Sequence, residues 1–212
     1  MDFNDALGAE FRAFRDVEHE GQPARAVEGS RVYPTGAADL WDALTNPERI
    51  PRWFLPISGD LELGGRYRLE GNAEGSITHC DPPEALDVTW EFAGNVSWVS
   101  VRLVPENGGA RLTLVHTTLK DDAGEAHWQT YGPGATGVGW DLSFFGLGLH
   151  LDSGGAPVDA EACEAWLTTT AEGKTFLRDC ANAWGDAHVK SGEPAEVAEA
   201  MAARTATFYS GE

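Results

Sequence analysis

Positive charge is scarce in this sequence. Lysine and arginine number 15 against 34 aspartates and glutamates, a formal net charge of −19 over 212 residues. A field of that sign repels phosphate backbones and anionic headgroups, so neither nucleic acid nor a membrane surface is an expected partner. Cysteine is scarce too. Cys80, Cys163 and Cys180 form an odd set without CxxC spacing, which argues against a disulfide framework and for reduced thiols in a cytoplasmic compartment. Long apolar runs are missing: the most apolar stretch, Gly137 to Leu151, is interrupted by Asp141 and His150 and is too short to span a bilayer. The opening Met1-Asp2-Phe3-Asn4-Asp5 has no basic segment leading into an apolar one, so no signal peptide is expected.

Motifs that carry chemistry are also absent. HExxH, CxxC and HxH spacings do not occur. His79 and Cys80 project to opposite faces of a strand, and Asp186 and His188 do not share a helix face. GxSxG and GxxxxGK[ST] are absent too. The expectation is no metal, no cofactor and no catalytic site borne by a motif.

What is present suits a sizeable core: 42% hydrophobic residues against 23% charged. Residues 2–20 place Phe3, Leu7, Phe11 and Phe14 at helical spacing, and Gly21-Gln22-Pro23 ends that pattern. Arg25 to Tyr33 reads as a first strand. A short helix carrying Leu40, Trp41 and Leu44 follows, and Asn46-Pro47-Glu48 supplies an N-cap, a first-turn proline and an acid for a second helix reaching Phe54. Strands come next: Leu61–Leu63 and Arg66–Leu69 around Gly64-Gly65, then 76–80, 87–92, 96–104 and 111–118. In the fourth of these Val88, Trp90 and Phe92 alternate with Thr89 and Glu91, which puts the first set toward the core. Residues 120–134 read as a polar loop, 137–151 as a long helix, 152–157 as a linker, and 159–189 and 194–209 as a helical tail. Neighbouring antiparallel strands with segregated helices give the α+β class.

The run Trp41 to Phe54, then Leu63-Gly64-Gly65-Arg66-Tyr67, Pro83-Glu84-Ala85-Leu86 leading to Thr89-Trp90, and Gly109 to Leu114 leading to His116, resembles the START-like (SRPBCC) superfamily. Within it the chain looks most like the bacterial branch related to the C-terminal domain of the activator of Hsp90 ATPase. The resemblance covers about residues 25–151. It implies a helix-grip fold, a curved antiparallel sheet wrapped around the long helix, flanked by an N-terminal helical extension (1–24) and a helical C-terminal extension (152–212). Superfamily members bind lipids, sterols, polyketides or plant hormones, act as cyclases, or serve as co-chaperones. Three functions are therefore open: a binder of a small, mostly apolar molecule between sheet and long helix, a co-chaperone-like interaction protein, and a cyclase- or hydrolase-type enzyme using His116.

Several residues bear on that choice. Gly137, Gly139, Gly146 and Gly148 each cost a helix about 0.8–1 kcal/mol relative to Ala, so they need a reason: room for a ligand, or close approach of the helix to its neighbours. Trp53, Trp90, Tyr131, Trp140 and Phe144 are candidates to line a cavity, with core packing as the competing role. His116 alternates with Leu112 and Leu114 and so points inward, as a ligand-orienting group, a general base or a bonded core histidine. In the tail, Trp166, Phe176, Leu177, Trp184, Val197, Met201 and Phe208 require burial, against this chain's own core or across a protein partner or homodimer interface.

Overall fold

The computed structural model describes residues 10–106 and 108–211. Eight strands form one curved antiparallel sheet: β1 (Glu10–His19), β2 (Gln22–Tyr33), β3 (Ile57–Gly59), β4 (Arg66–Leu69), β5 (Glu74–Asp81), β6 (Ala85–Phe92), β7 (Asn95–Glu106) and β8 (Gly109–Leu119). Their order is β1-β2-β8-β7-β6-β5-β4-β3. Six α-helices occur among the described residues: α1 (Ala37–Thr45), α2 (Asp122–Tyr131), α3 (Gly134–Asp152), α4 (Ala160–Thr169), α5 (Ala171–Lys190) and α6 (Ala195–Ser210). The arrangement is α+β, as the strand and helix order implied, and it is the helix-grip fold that the START-like resemblance implied. Among the described residues no helix is long and apolar enough to cross a membrane.

The chain divides into two units. One comprises Met1–Gly29, Leu119–Leu142 and Asp159–Glu212, the other Ser30–Thr118 and Ser143–Val158. β2 and α3 each contribute residues to both units.

In the first unit, the expected N-terminal helix gives way to a strand. Residues 10–19 are β1, and Glu20 and Gly21, both at positive φ (49° and 80°), make the two-residue turn that pairs β1 with β2. The helical spacing of Phe11 and Phe14 is overridden by that pairing, while Phe3 and Leu7 lie outside the described residues. The loop expected at 120–134 contains α2, whose cap Asp121 accepts a hydrogen bond from the Gly124 amide at 2.7 Å. The tail helix expected over 159–189 is two helices: Thr170 ends α4 and caps α5, accepting from Gly173 N at 3.0 Å. Phe176, Leu177, Trp184 and Met201 are buried as required, whereas Val197 is 38% and Phe208 58% exposed.

One buried charge pair ties three elements of this unit together. Arg12 of β1 donates from Nε to both oxygens of Asp141 in α3, at 3.2 and 3.1 Å, and Trp184 of α5 donates from its indole at 3.0 Å. Gly137 explains why the pair fits: a Cβ there would overlap the Trp184 indole.

In the second unit, α1 forms as expected. Asn46-Pro47-Glu48 starts only a turn and a single 3₁₀ segment, Ile50–Arg52, instead of a second helix. The hairpin expected on Gly64-Gly65 is built differently. Arg66–Leu69 pairs with Ile57–Gly59, and Leu61–Leu63 lies in the connecting loop. Gly59 makes this possible, since a Cβ there would overlap the Arg66 carbonyl across the pair. Phe92 is on the expected side of β6, but its place at the end of the strand leaves it 52% exposed.

Candidate functional site

The candidate site lies in the second unit, on the sheet face beside Ser143–Asp152 of α3. Register puts Ile77, Val88, Val99 and His116 in one row across β5 to β8. Trp90, Ser97 and Thr118 form the next row, and Leu86, Val101 and Leu114 the one on the other side. Tyr67 and Leu69 of β4 extend the face, and with Ile77 they form a buried cluster. From β3 to β8 no aspartate, glutamate, lysine or arginine stands on this inner face. The charges of the same strands sit on the outer face, in pairs. Arg66 donates to both oxygens of Glu91 at 3.1 and 3.0 Å, Arg102 pairs with Asp87, and Arg111 with Glu106 at 2.7 Å. The alternation in the sequence sorts polarity so completely because successive strand side chains point to opposite faces.

The inner face is sealed at one end and less fully buried at the other. Toward β2, Tyr33 is 1% exposed and its hydroxyl donates to the Phe144 carbonyl of α3 at 2.9 Å. Arg31 lies over the Tyr33 ring at 5.3 Å and beneath Gly148, where a Cβ would sit 3.6 Å from the guanidinium. Gly146 is held against the Trp53 carbonyl, with 2.9 Å left for a Cβ. Around Tyr67, Leu69 and Ile77, by contrast, Phe54, Leu55, Leu86, Val88 and Trp90 are only partly buried.

Three polar groups at this end of the face are matched internally. The Tyr67 hydroxyl donates to the Thr89 carbonyl at 2.7 Å. The Ser97 hydroxyl donates to the Trp90 carbonyl at 3.0 Å and lies 2.8 Å from His116 Nε2. A hydroxyl carries one proton, so Ser97 accepts from His116, which fixes the proton of the neutral imidazole on Nε2. Burial pushes the His116 pKa down to about 4 and pushes the Tyr67 phenol up. Both groups are therefore uncharged near neutrality. An imidazole of that pKa is a weak base, and its neighbours within the sheet are Val99, Leu114 and Ser97.

The six expected site residues divide between the units. Trp90 and His116 come together, ring centroids 6.1 Å apart. Trp53 is a brace, donating its indole N–H to the Ala43 carbonyl at 2.9 Å, and Phe144 is core at 2% exposure. Tyr131 and Trp140 belong to the first unit, where Tyr131 packs on Phe208 beside a surface groove of about 360 Å³. Ser97 and Tyr67 were missed, although Ser97 interrupts the apolar alternation of Val99, Val101 and Leu103.

A curved antiparallel sheet, a long helix along it and an uncharged inner face define a START-like, helix-grip protein. The model of the family described as "Activator of Hsp90 ATPase homolog 1-like protein" matches residues 34–148, just over half of the chain, and this protein belongs to that family. Among solved structures, CalU16 from Micromonospora echinospora is similar in both its crystal and solution forms. The crystal structure is 28% identical with a TM-score of 0.66, covering 84% of this chain and 98% of CalU16. The solution structure gives 29%, 0.70, 87% and 97%. Protein MLL2253 from Mesorhizobium loti, 24% identical with a TM-score of 0.53, covers 61% of this chain and 98% of its own, and shares the fold. No curated protein matches the chain.

Proposed function

We propose that this protein binds a small, mostly apolar molecule on the inner face of its sheet, beside residues 143–152. The observation that carries this is the uncharged face left only partly buried around Trp90, Val88 and Phe54, while its other end is sealed by Tyr33 and Phe144. Apolar surface left in water costs roughly 25 cal/mol per Å², and an apolar concavity with a few fixed polar groups is the usual form of a ligand site. Titration with Nile red, an uncharged apolar dye, tests it. Saturable binding with one site per chain is expected, and Trp90→Arg should abolish it without changing the circular dichroism spectrum. Failure of Nile red and of a broad apolar panel to bind saturably would refute the proposal.

Family membership favours a second reading, engagement of a protein partner of the Hsp90 class. Stimulation of a purified Hsp90-type ATPase by this chain, unaffected by Trp90→Arg, is the outcome that would select it.

A further inference from the structure

Resting on the ligand-binding reading above, we propose that Tyr67, Trp90 and His116 form a subsite for an uncharged aromatic ring, and that ligands ionised at this position are excluded. The chemistry is decided by what the sheet does not offer there. Across β4 to β8 the inner face supplies no cation for a carboxylate and no carboxylate for an ammonium group. Three of its polar hydrogens are already committed: Tyr67 to the Thr89 carbonyl, His116 to Ser97, and Ser97 to the Trp90 carbonyl. Among the described residues, an inner-face charge of this unit is Arg31, on β2. It stands two residues from Tyr33, whose carbonyl lies against Gly109 at the start of β8, whereas His116 and Thr118 are near that strand's end.

An ion entering the Trp90 end therefore loses its hydration without gaining an opposite charge, a cost that rises steeply with charge. A flat neutral ring loses little. It gains contact with the partly buried Trp90 ring, which has Tyr67 at 6.5 Å and His116 at 6.1 Å, both tilted against it. Ser97 acts as a positioning residue here. By accepting from Nε2 it holds the imidazole in one tautomer and one orientation.

A charge series on one ring system tests this: 1-naphthylmethanol, 1-naphthoate and 1-naphthylmethylammonium, each measured by calorimetry and by competition with Nile red. At pH 7 the alcohol should bind and both ions should bind about 100-fold or more weakly, the scale set by an uncompensated charge. Affinity for the alcohol should be flat from pH 8 to 5.5, because His116 stays neutral down to about 4. Trp90→Ala should weaken the alcohol about tenfold or more, in line with loss of aromatic contact. Thr118→Lys places a cation beside Ser97 on the same face and should admit the naphthoate. If that variant fails to fold, the charge series on the unaltered protein decides alone. Naphthoate binding as tightly as the alcohol, or alcohol binding indifferent to Trp90→Ala, would overturn the subsite and leave ligand binding standing. Absence of binding by all three, with Nile red also failing, would overturn the binding function itself.

Discussion

Replacing Asp141 by Asn should remove a pH dependence from the first unit's stability, with a sign opposite to ordinary acid denaturation. The Asp141 carboxyl is 1% exposed and faces Arg12, itself 6% exposed, with Trp184 as a further donor. Burial raises its pKa from 3.8 to about 6, outweighing the opposing pull of Arg12 and of the bonds from Arg12, Trp184 and Cys180. Raising a carboxyl that far costs the ionised form about 3 kcal/mol, at 1.36 kcal/mol per pH unit. A carboxyl whose pKa is higher folded than unfolded favours folding most below pH 3.8, and that contribution is lost as pH rises through about 6. Between pH 4.5 and 7.5 the change amounts to about 2 kcal/mol.

The assay is urea unfolding of the parent and of Asp141→Asn at those two pH values. The difference between the two proteins isolates Asp141 from the other carboxylates, which titrate in both. The parent should lose about 2 kcal/mol relative to the variant on going from pH 4.5 to 7.5. Arg12→Ala should do the reverse of relief, costing about 3–5 kcal/mol at pH 7.5 by leaving the carboxylate buried without its cation, and less at pH 4.5 where a proton takes its place. A difference that is flat with pH, or one in which the parent gains on the variant as pH rises, would refute this: the ion pair would then outweigh its desolvation.

The glycines of α3 should separate by what faces them. Gly146→Leu drives a side chain toward the Trp53 carbonyl and should lose about 1–3 kcal/mol in thermal or urea unfolding. Gly148→Ala meets only the end of Arg31 and should be neutral or gain up to about 1 kcal/mol of helix propensity. His188 is 2% exposed with Nδ1 unbonded, and burial pushes its pKa down. It therefore supports folding above pH 6.5 and loses that support as pH falls, so His188→Phe should flatten the acid side of the stability profile. Deleting 159–212 strips the partners of β1 and α2, so the remaining residues of the first unit should show fast hydrogen exchange; protection equal to the full chain's would count against the packing described.

Much of the second unit was legible because strand alternation is a strong code. Val88 and Trp90 against Thr89 and Glu91, or Leu112, Leu114 and His116 against Arg111 and Thr113, assign faces without any tertiary information. Elements whose identity depends on a partner were not legible. Residues 10–19 carry helical spacing at Phe11 and Phe14, and only pairing with β2 makes them a strand. Ile57–Gly59 is too short to register as a strand, and its pairing needs Gly59 to clear the Arg66 carbonyl. α2 was hidden in a polar stretch whose Asp121 cap was the one usable sign.

The site was half legible for the same reason. Alternation brings Trp90 and His116 to one face, but alternation cannot say which part of that face is sealed. That is decided by contacts from distant segments: Tyr33 bonding the Phe144 carbonyl, and Trp53 approaching Gly146. The glycines illustrate the point. As a group they permit two roles, room or close approach, and the structure assigns them one by one. Gly137 admits the Trp184 indole and Gly146 the Trp53 carbonyl, which are close approaches, whereas Gly148 leaves ordinary contact distance to Arg31. The close approaches at Gly137 and Gly146 therefore speak against the helix glycines as a source of room, and the binding proposed above rests instead on the end of the sheet where Ser97, Trp90 and His116 satisfy one another and carry no charge. A small polar residue inside an apolar alternation, two positions from Val99, is the sequence sign of that arrangement.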